Sequence, residues 1–313
     1  MRFVIVGPGA LGSLIGATLV RRGHDVTLLG RRSPHLRALR RHGLQLETRH
    51  GTKEHASIAA TDDPGVVSSV ETVLVLVKTV DSVAAMEAIR PYISPHHVVM
   101  TLQNGLGNVE KIQTTLGIDL PILVGVTSQA ATRLDPGSVK HAGEGPTLIG
   151  YVDERHAGKA SELASVFSDA GLPAVAVSDI DHWIWRKLAV NAAINGLTAL
   201  GGFLNGMIAS DEALLDAAET IAEEVASVAR GTGIELGGMR RVILETAVAT
   251  ADNRSSMLQD LNARRPTEVD AIHGAVLAAG AEVGLATPAI QVIAALIRAK
   301  EKTVANPENL DAE

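Results

Sequence analysis

Lys187, Asn191 and Asn195 stand four residues apart in the run Trp183-Ile-Trp-Arg-Lys187-Leu-Ala-Val-Asn191-Ala-Ala-Ile-Asn195-Gly-Leu197. On a helix each step of four advances only about 40° past a full turn, so the three side chains form one polar stripe. Leu188, Val190, Ala192, Ala193, Ile194 and Leu197 crowd the same turns. A lysine and two asparagines in that company are buried in part, and buried polar groups need partners. A polar substrate can supply them. The plainer reading is a solvated stripe on an amphipathic helix, and the crowding apolar residues count against it.

A second chemistry is written at the start of the chain. Phe3 to Val6 is a short apolar run, followed by Gly7-Pro8-Gly9-Ala10-Leu11-Gly12 and then by helical apolar periodicity from Leu14 to Val20. Strand, glycine turn and helix in that order suit a dinucleotide. Gly7 permits the turn, Gly9 lets backbone approach a pyrophosphate, and Gly12 lets helix and strand pack closely. The helix N-terminus offers unpaired N–H groups and a partial positive charge to the phosphates. A tight turn with no ligand is the alternative. The next strand, Val26–Leu29, ends in Gly30-Arg31-Arg32-Ser33 where an NAD site usually carries an acid. Two guanidiniums suit a 2′-phosphate instead, and Arg31, closer to the strand, is the better candidate for NADP, unless the arginines are simply solvated.

Other polar residues sit where a sheet would present them. Lys78 ends the apolar run from Glu71 at a strand's carboxyl edge, the side that faces ligand in open α/β sheets. Asn104 follows the strand Val98–Leu102, as a ligand contact or as ordinary Asn-Gly turn chemistry. Asn253 and Ser256 lie in a polar cluster ending at Asp260, where Ser256 could be only a helix cap. Pro266 suits the first position of a helix, and Glu268 would then lie in its first turn, favoured there by the dipole alone. His182 and His273 are each alone in their segments and read as structural.

The elements that must hold these groups fall into two kinds. Residues 1–178 alternate short strands and helices: Leu44–Glu47 and Ala56–Ala59 around Gly51, a short helix opening near Pro64, Ile122–Val126, and shorter strands near His141, Thr147–Gly150 and Ala174–Val177. Residues 179–313 read as helices: His182–Leu200, Glu212–Arg230, Met239–Ala251, Pro266–Val283 and Ala289 to about Lys302, with a polar tail from about Asn306. The expectation is a Rossmann-type α/β domain with a mostly parallel sheet, then an all-α domain. Only 2% of residues are aromatic, so Val, Leu, Ile and Ala must fill the cores. A net charge of −7 gives no reason to expect nucleic acid or an anionic membrane as partner. The absence of cysteine excludes disulfides, thiolate metal sites and cysteine nucleophiles, and no metal is expected. No apolar stretch reaches membrane length and the chain opens on a strand, so a cytoplasmic protein is the expectation. The long helices of the second half could pair in a homodimer.

Taken together, these segments resemble the ketopantoate reductases (2-dehydropantoate 2-reductases). The resemblance rests on Gly7–Gly12, Val77-Lys78, Gln103–Gly107, Trp185–Asn195, Ser255–Asp260 and Thr267–Asp270, which run in family order over nearly the whole chain. It implies an NADPH-binding Rossmann domain and a helical domain with the active site in the cleft between them, reducing 2-dehydropantoate to (R)-pantoate on the route to pantothenate and coenzyme A. By position, Lys187 is implied as the general acid and Glu268 as its modulator or a substrate contact. Asn191 and Asn195 are implied at the substrate hydroxyl and neighbouring oxygens, and Ser256, with Asn253 nearby, at its carboxylate. Lys78 and Asn104 are implied at the cofactor or the reacting groups, and Arg31 at the 2′-phosphate. His273-Gly274 departs from the Asn-Gly common in similar sequences, and Val126-Thr127-Ser128 from a Thr-rich stretch. These departures leave a related reductase of another 2-oxo acid as the alternative. The 3-hydroxyacid dehydrogenases share a lysine and an asparagine four apart but have no place for the Ser255–Leu258 cluster. A non-catalytic NADP sensor has no need of Lys187 and Glu268.

Overall fold

The structure, a computed structural model, describes residues 1–305, so the polar tail from about Asn306 lies outside the described residues. The chain divides into two compact units. Residues Met1–Gln103 and Asn108–Ile180 form the first, and Asn104–Gly107 join Asp181 onward in the second.

In the first unit the chain opens with β1 (Arg2–Val6), α1 (Ala10–Arg21), β2 (Asp25–Leu29) and α2 (Pro34–His42). Short strands β3 (Leu44–Glu47), β4 (Lys53–Ala56) and β5 (Ala59–Thr61) follow, so the strand expected over 56–59 is instead the end of β4 and the start of β5, which belong to different sheets. A 3₁₀ turn at Pro64–Ser69 leads to β6 (Thr72–Val75), α3 (Ser82–Ile89), β7 (Val98–Thr101) and α4 (Asn108–Leu116). The unit closes with β8 (Ile122–Thr127), β9 (Ala130–Asp135), β10 (Ser138–Gly143), β11 (Thr147–Tyr151), α5 (Ala157–Asp169) and β12 (Ala174–Ala176).

Eight of these strands form one sheet in the order β12-β11-β8-β7-β6-β1-β2-β5. Its strands from β5 to β8 are parallel, and β11 turns antiparallel onto β8. The central strands β6 and β7 are buried at every residue, as continuous Val, Leu and Met runs require when helices cover both faces. The chain adds β2 on one side of β1 and β6 on the other, so the order reverses beside β1. That is where an open α/β sheet forms its ligand crevice. A second sheet, β4-β3-β10-β9, packs Val139 and Leu46 into the same core as Leu14 and Leu19 of α1.

The second unit is helical. It comprises α6 (Ile180–Gly201), α7 (Gly206–Ser210), α8 (Glu212–Gly231), α9 (Met239–Ala249), α10 (Ser256–Asn262), a π-helical turn at Asp270–Gly274 that runs into α11 (Ala275–Glu282), and α12 (Pro288–Ala305). One aliphatic core joins Leu188 and Ala192 of α6, Ile221 and Val225 of α8, and Ile290 and Ile297 of α12. The helix expected from Pro266 starts later. The backbone N–H of Thr267 donates to Glu301 Oε1 (2.6 Å) and that of Val269 to the Thr267 hydroxyl (3.1 Å), which holds Pro266–Glu268 outside the helix. The fold is therefore the expected α/β Rossmann-type unit with a mostly parallel sheet, followed by a helical unit. No helix among the described residues is long and apolar enough to cross a membrane.

Candidate active site

The glycine turn is shaped by close approach. Gly7 has φ +110°, and a Cβ there would lie 2.5 Å from the Val77 backbone nitrogen, so β1 and the end of β6 meet too tightly for any side chain. A Cβ on Gly12 would run into the Gly7 carbonyl oxygen, which is how α1 comes down onto its strand. At Gly9 an added Cβ meets nothing within 4 Å. Its backbone is open to an approaching group, and it stands at the N-cap of α1 with no side-chain cap and no acid in the first turn. The unpaired N–H groups of Ala10, Leu11 and Gly12 therefore remain for an anion. These features fit a pyrophosphate.

A cavity of about 430 Å³ opens at this turn, lined by Gly7, Pro8, Gly9, Gly30, Arg31, Ser33, Lys78 and apolar residues of α3. The structure thus brings the glycine turn, Arg31 and Lys78 to one wall. Gly30, unassigned from the sequence, is tight against Pro8, whose ring a Cβ would strike. Lys78 lies three residues beyond the end of β6, as the N-cap of a 3₁₀ turn over Thr79–Asp81. Gln103 fixes that loop by donating to the Val77 carbonyl (2.8 Å) and the Ser82 hydroxyl (2.7 Å). Arg31 is largely exposed and donates to Asp81 at 3.0 Å.

In the second unit α6 carries the stripe. Asn195 is buried, and Lys187 and Asn191 are half-buried. Burial pulls the Lys187 amine from its ordinary 10.5 down to about 8, and the Glu268 carboxylate opposes that shift. Glu268 also accepts from Asn104 Nδ2 at 3.1 Å, which brings together residues 164 apart in sequence. Asn104 belongs with this unit because a Cβ on Gly105 (φ +86°) would collide with the Ala271 carbonyl, so only glycine lets the two backbones touch.

The stripe continues one step further than the sequence suggested. Thr198 is fully buried and its hydroxyl lies 2.7 Å from both the Ile194 carbonyl and the Ser255 Oγ. Ser255, not Ser256, is the cap of α10, accepting from the Leu258 N–H at 3.2 Å. Ser256 is then the exposed first residue of that helix. Asn253 is half-buried just before it, its carbonyl accepting from the Asn205 N–H at 3.0 Å. His273 is fully buried in the π turn and its Nε2 bonds the Ala192 carbonyl (3.0 Å), bracing α6 from behind the stripe. His182 packs edge-on against Trp183.

The family model described as ketopantoate reductase PanE/ApbA matches residues 3–154, and the one for its C-terminal domain matches residues 179–301. The 2-dehydropantoate 2-reductase of Halobacterium salinarum is 36% identical over 305 residues, covering 96% of this chain and 99% of that protein. The crystal structure of a PanE/ApbA family ketopantoate reductase from Ralstonia eutropha JMP134 superposes with a TM-score of 0.88 at 30% identity, over 97% of this chain and 99% of that one. A ternary structure of D-mandelate dehydrogenase with NADH and anilino(oxo)acetate gives a TM-score of 0.91 at 28% identity, over the same shares of the two chains.

Proposed function

The chain belongs to the ketopantoate reductase family, and from that premise we propose that it reduces 2-dehydropantoate to (R)-pantoate with NADPH, Lys187 acting as the general acid. The observation that carries the proposal is the placement of Lys187 with Asn191 and Asn195 along one stripe of α6, where burial draws the lysine amine down to about 8 against the opposing Glu268 carboxylate. An acid of that strength is largely protonated at neutral pH and gives up its proton readily.

The nicotinamide cofactor supplies the hydride when bound. The α1 N-terminus and Gly9 hold its pyrophosphate, Arg31 its 2′-phosphate, and Lys78 lines the same cavity. Lys187 donates its proton to the ketone oxygen as that oxygen gains charge. Asn191 and Asn195 hold the substrate hydroxyl and neighbouring oxygens. Ser256, exposed at the start of α10, and Asn253 receive its carboxylate. Glu268, fixed by Asn104, keeps the ammonium form of Lys187 available.

The test is NADPH oxidation followed by absorbance with 2-dehydropantoate, beside the Lys187→Ala variant. Turnover is expected in the wild type and a loss of about a hundredfold or more in the variant, with NADPH affinity retained. A flat trace with folded wild-type protein sinks the substrate assignment, and unchanged turnover in the variant removes Lys187 from the acid role. The D-mandelate dehydrogenase likeness favours one second reading, an NADH- or NADPH-dependent reductase of another 2-oxo acid. A side-by-side screen of 2-oxo acids with both cofactors separates the two.

A further inference from the structure

The second sheet of the first unit reaches the cofactor cavity. Arg133 of β9 lines it together with Arg31 and Ser33. In the sheet register Arg133 stands opposite Val139, which is fully buried in the core shared with α1. Opposed residues of an antiparallel pair share a face, so Arg133 issues from the inward face of this edge strand. The hairpin that carries it is anchored. The Gly137 N–H, in the turn between β9 and β10, donates to Nδ1 of the buried His35 at 2.9 Å. Nε2 of that ring therefore holds the proton and lies 3.1 Å from Ser13 Oγ in the first turns of α1. The charge of Arg133 bears directly on His35, which sits two residues after Ser33 at the start of α2. Arg133 is thus set opposite the end of β2, where the adenosine ribose belongs.

The charges on this wall are unevenly matched. Asp81 pairs with Arg31, and Asp62 is taken by Arg32 (2.6 Å) and by Arg40. Arg133 has no carboxylate partner among the described residues. Arg31 alone is partly neutralised by Asp81, so a dianionic group beside it gains most from a second, unpaired guanidinium.

We infer that Arg133 is a cofactor-selecting residue, forming with Arg31 a two-guanidinium seat for the adenosine 2′-phosphate. The inference rests on the NADP reading of the same cavity. The test is calorimetric titration of wild type, Arg133→Ala and Arg133→Lys with NADPH, NADH, adenosine 2′,5′-bisphosphate and 5′-AMP, in the absence of substrate. Arg133→Ala is expected to weaken NADPH and the bisphosphate by about tenfold and to leave NADH and 5′-AMP within about twofold. Arg133→Lys is expected to fall between, since an ammonium keeps the charge and loses the fork. Because Arg133 is exposed, intact NADH binding doubles as evidence of a folded site. An NADPH-over-NADH preference that persists unchanged in Arg133→Ala overturns the inference alone, as does an equal loss for both cofactors, which would place Arg133 at the pyrophosphate. A wild type that holds NADH as tightly as NADPH overturns the NADP reading, and the inference with it.

Discussion

At the scale of single residues the proposed chemistry turns on Lys187 and Glu268. Burial lowers the lysine to about 8 and the carboxylate holds it from going lower. A reduction that needs the ammonium form must lose rate as pH rises through that value, since the free amine has no proton to give. Removing the carboxylate removes the opposing influence, so Glu268→Gln is expected to move the alkaline limb of kcat/KM toward neutral pH. It should lower the rate more at pH 8 than at pH 6. A limb that stays in place detaches Glu268 from Lys187. How each residue could be read in advance differs. The Lys187 stripe was legible because a four-residue spacing among apolar residues is a local signal. Glu268 looked locally like a helix-dipole residue, and its bond to Asn104 joins segments that no window of sequence contains. Arg133 gave no local signal either, lying in a strand that alternation does not mark.

At the scale of elements, Asn104–Gly107 packs closely against the π turn of Asp270–Gly274. Gly105 at φ +86° lets the first segment touch the Ala271 carbonyl, and Asn104 thereby reaches Glu268. Gly105→Ala is expected to cost about 2–4 kcal/mol in stability and to depress turnover, through the left-handed backbone and the collision together. Gly107 is the control. It has φ +76° but no atom within 4 Å of an added Cβ, so Gly107→Ala should cost only about 1 kcal/mol. Thermal unfolding and steady-state rates check both, and equal effects of the two substitutions would show that the contact is immaterial. The same contact marks the limit of pattern reading. β1, β2, β6 and the long helices announced themselves because burial on a fixed period leaves an apolar trace. β9 did not, since its residues run from half-buried to exposed. The π turn inserts one residue into a helix without altering its composition, and the start expected at Pro266 failed because Glu301, 34 residues away from Thr267, captures the backbone there.

At the scale of the whole molecule, each unit contains a buried histidine whose burial disfavours its charged form, and both contributions are expected to be lost together in acid. His35 in the first unit and His273 in the second are drawn from 6.5 to about 4, chiefly by burial. Geometry explains why neither tolerates a second proton. Nδ1 of His35 already accepts the Gly137 N–H, and Nδ1 of His273 is buried without a partner among the described residues. A folded value below the unfolded one means that the unfolded chain binds the proton first. The stability contributed is therefore fully present above 6.5 and is lost as pH falls through about 4, a window worth on the order of 3 kcal/mol for each histidine. Asp62 and Asp153, both lowered to about 2 by arginine partners, lose their contributions mainly below that window, whereas His24 and His141 of the first unit, also lowered chiefly by burial, add to it. The second unit can be followed by itself, because both tryptophans, Trp183 and Trp185, lie on α6. Denaturant unfolding read by tryptophan fluorescence should weaken between pH 6.5 and 4 and should flatten in His273→Asn. His35→Asn should leave that signal's pH dependence unchanged. A fluorescence-detected stability that is level from pH 7 to pH 4 would mean that His273 takes up its proton without cost in the fold.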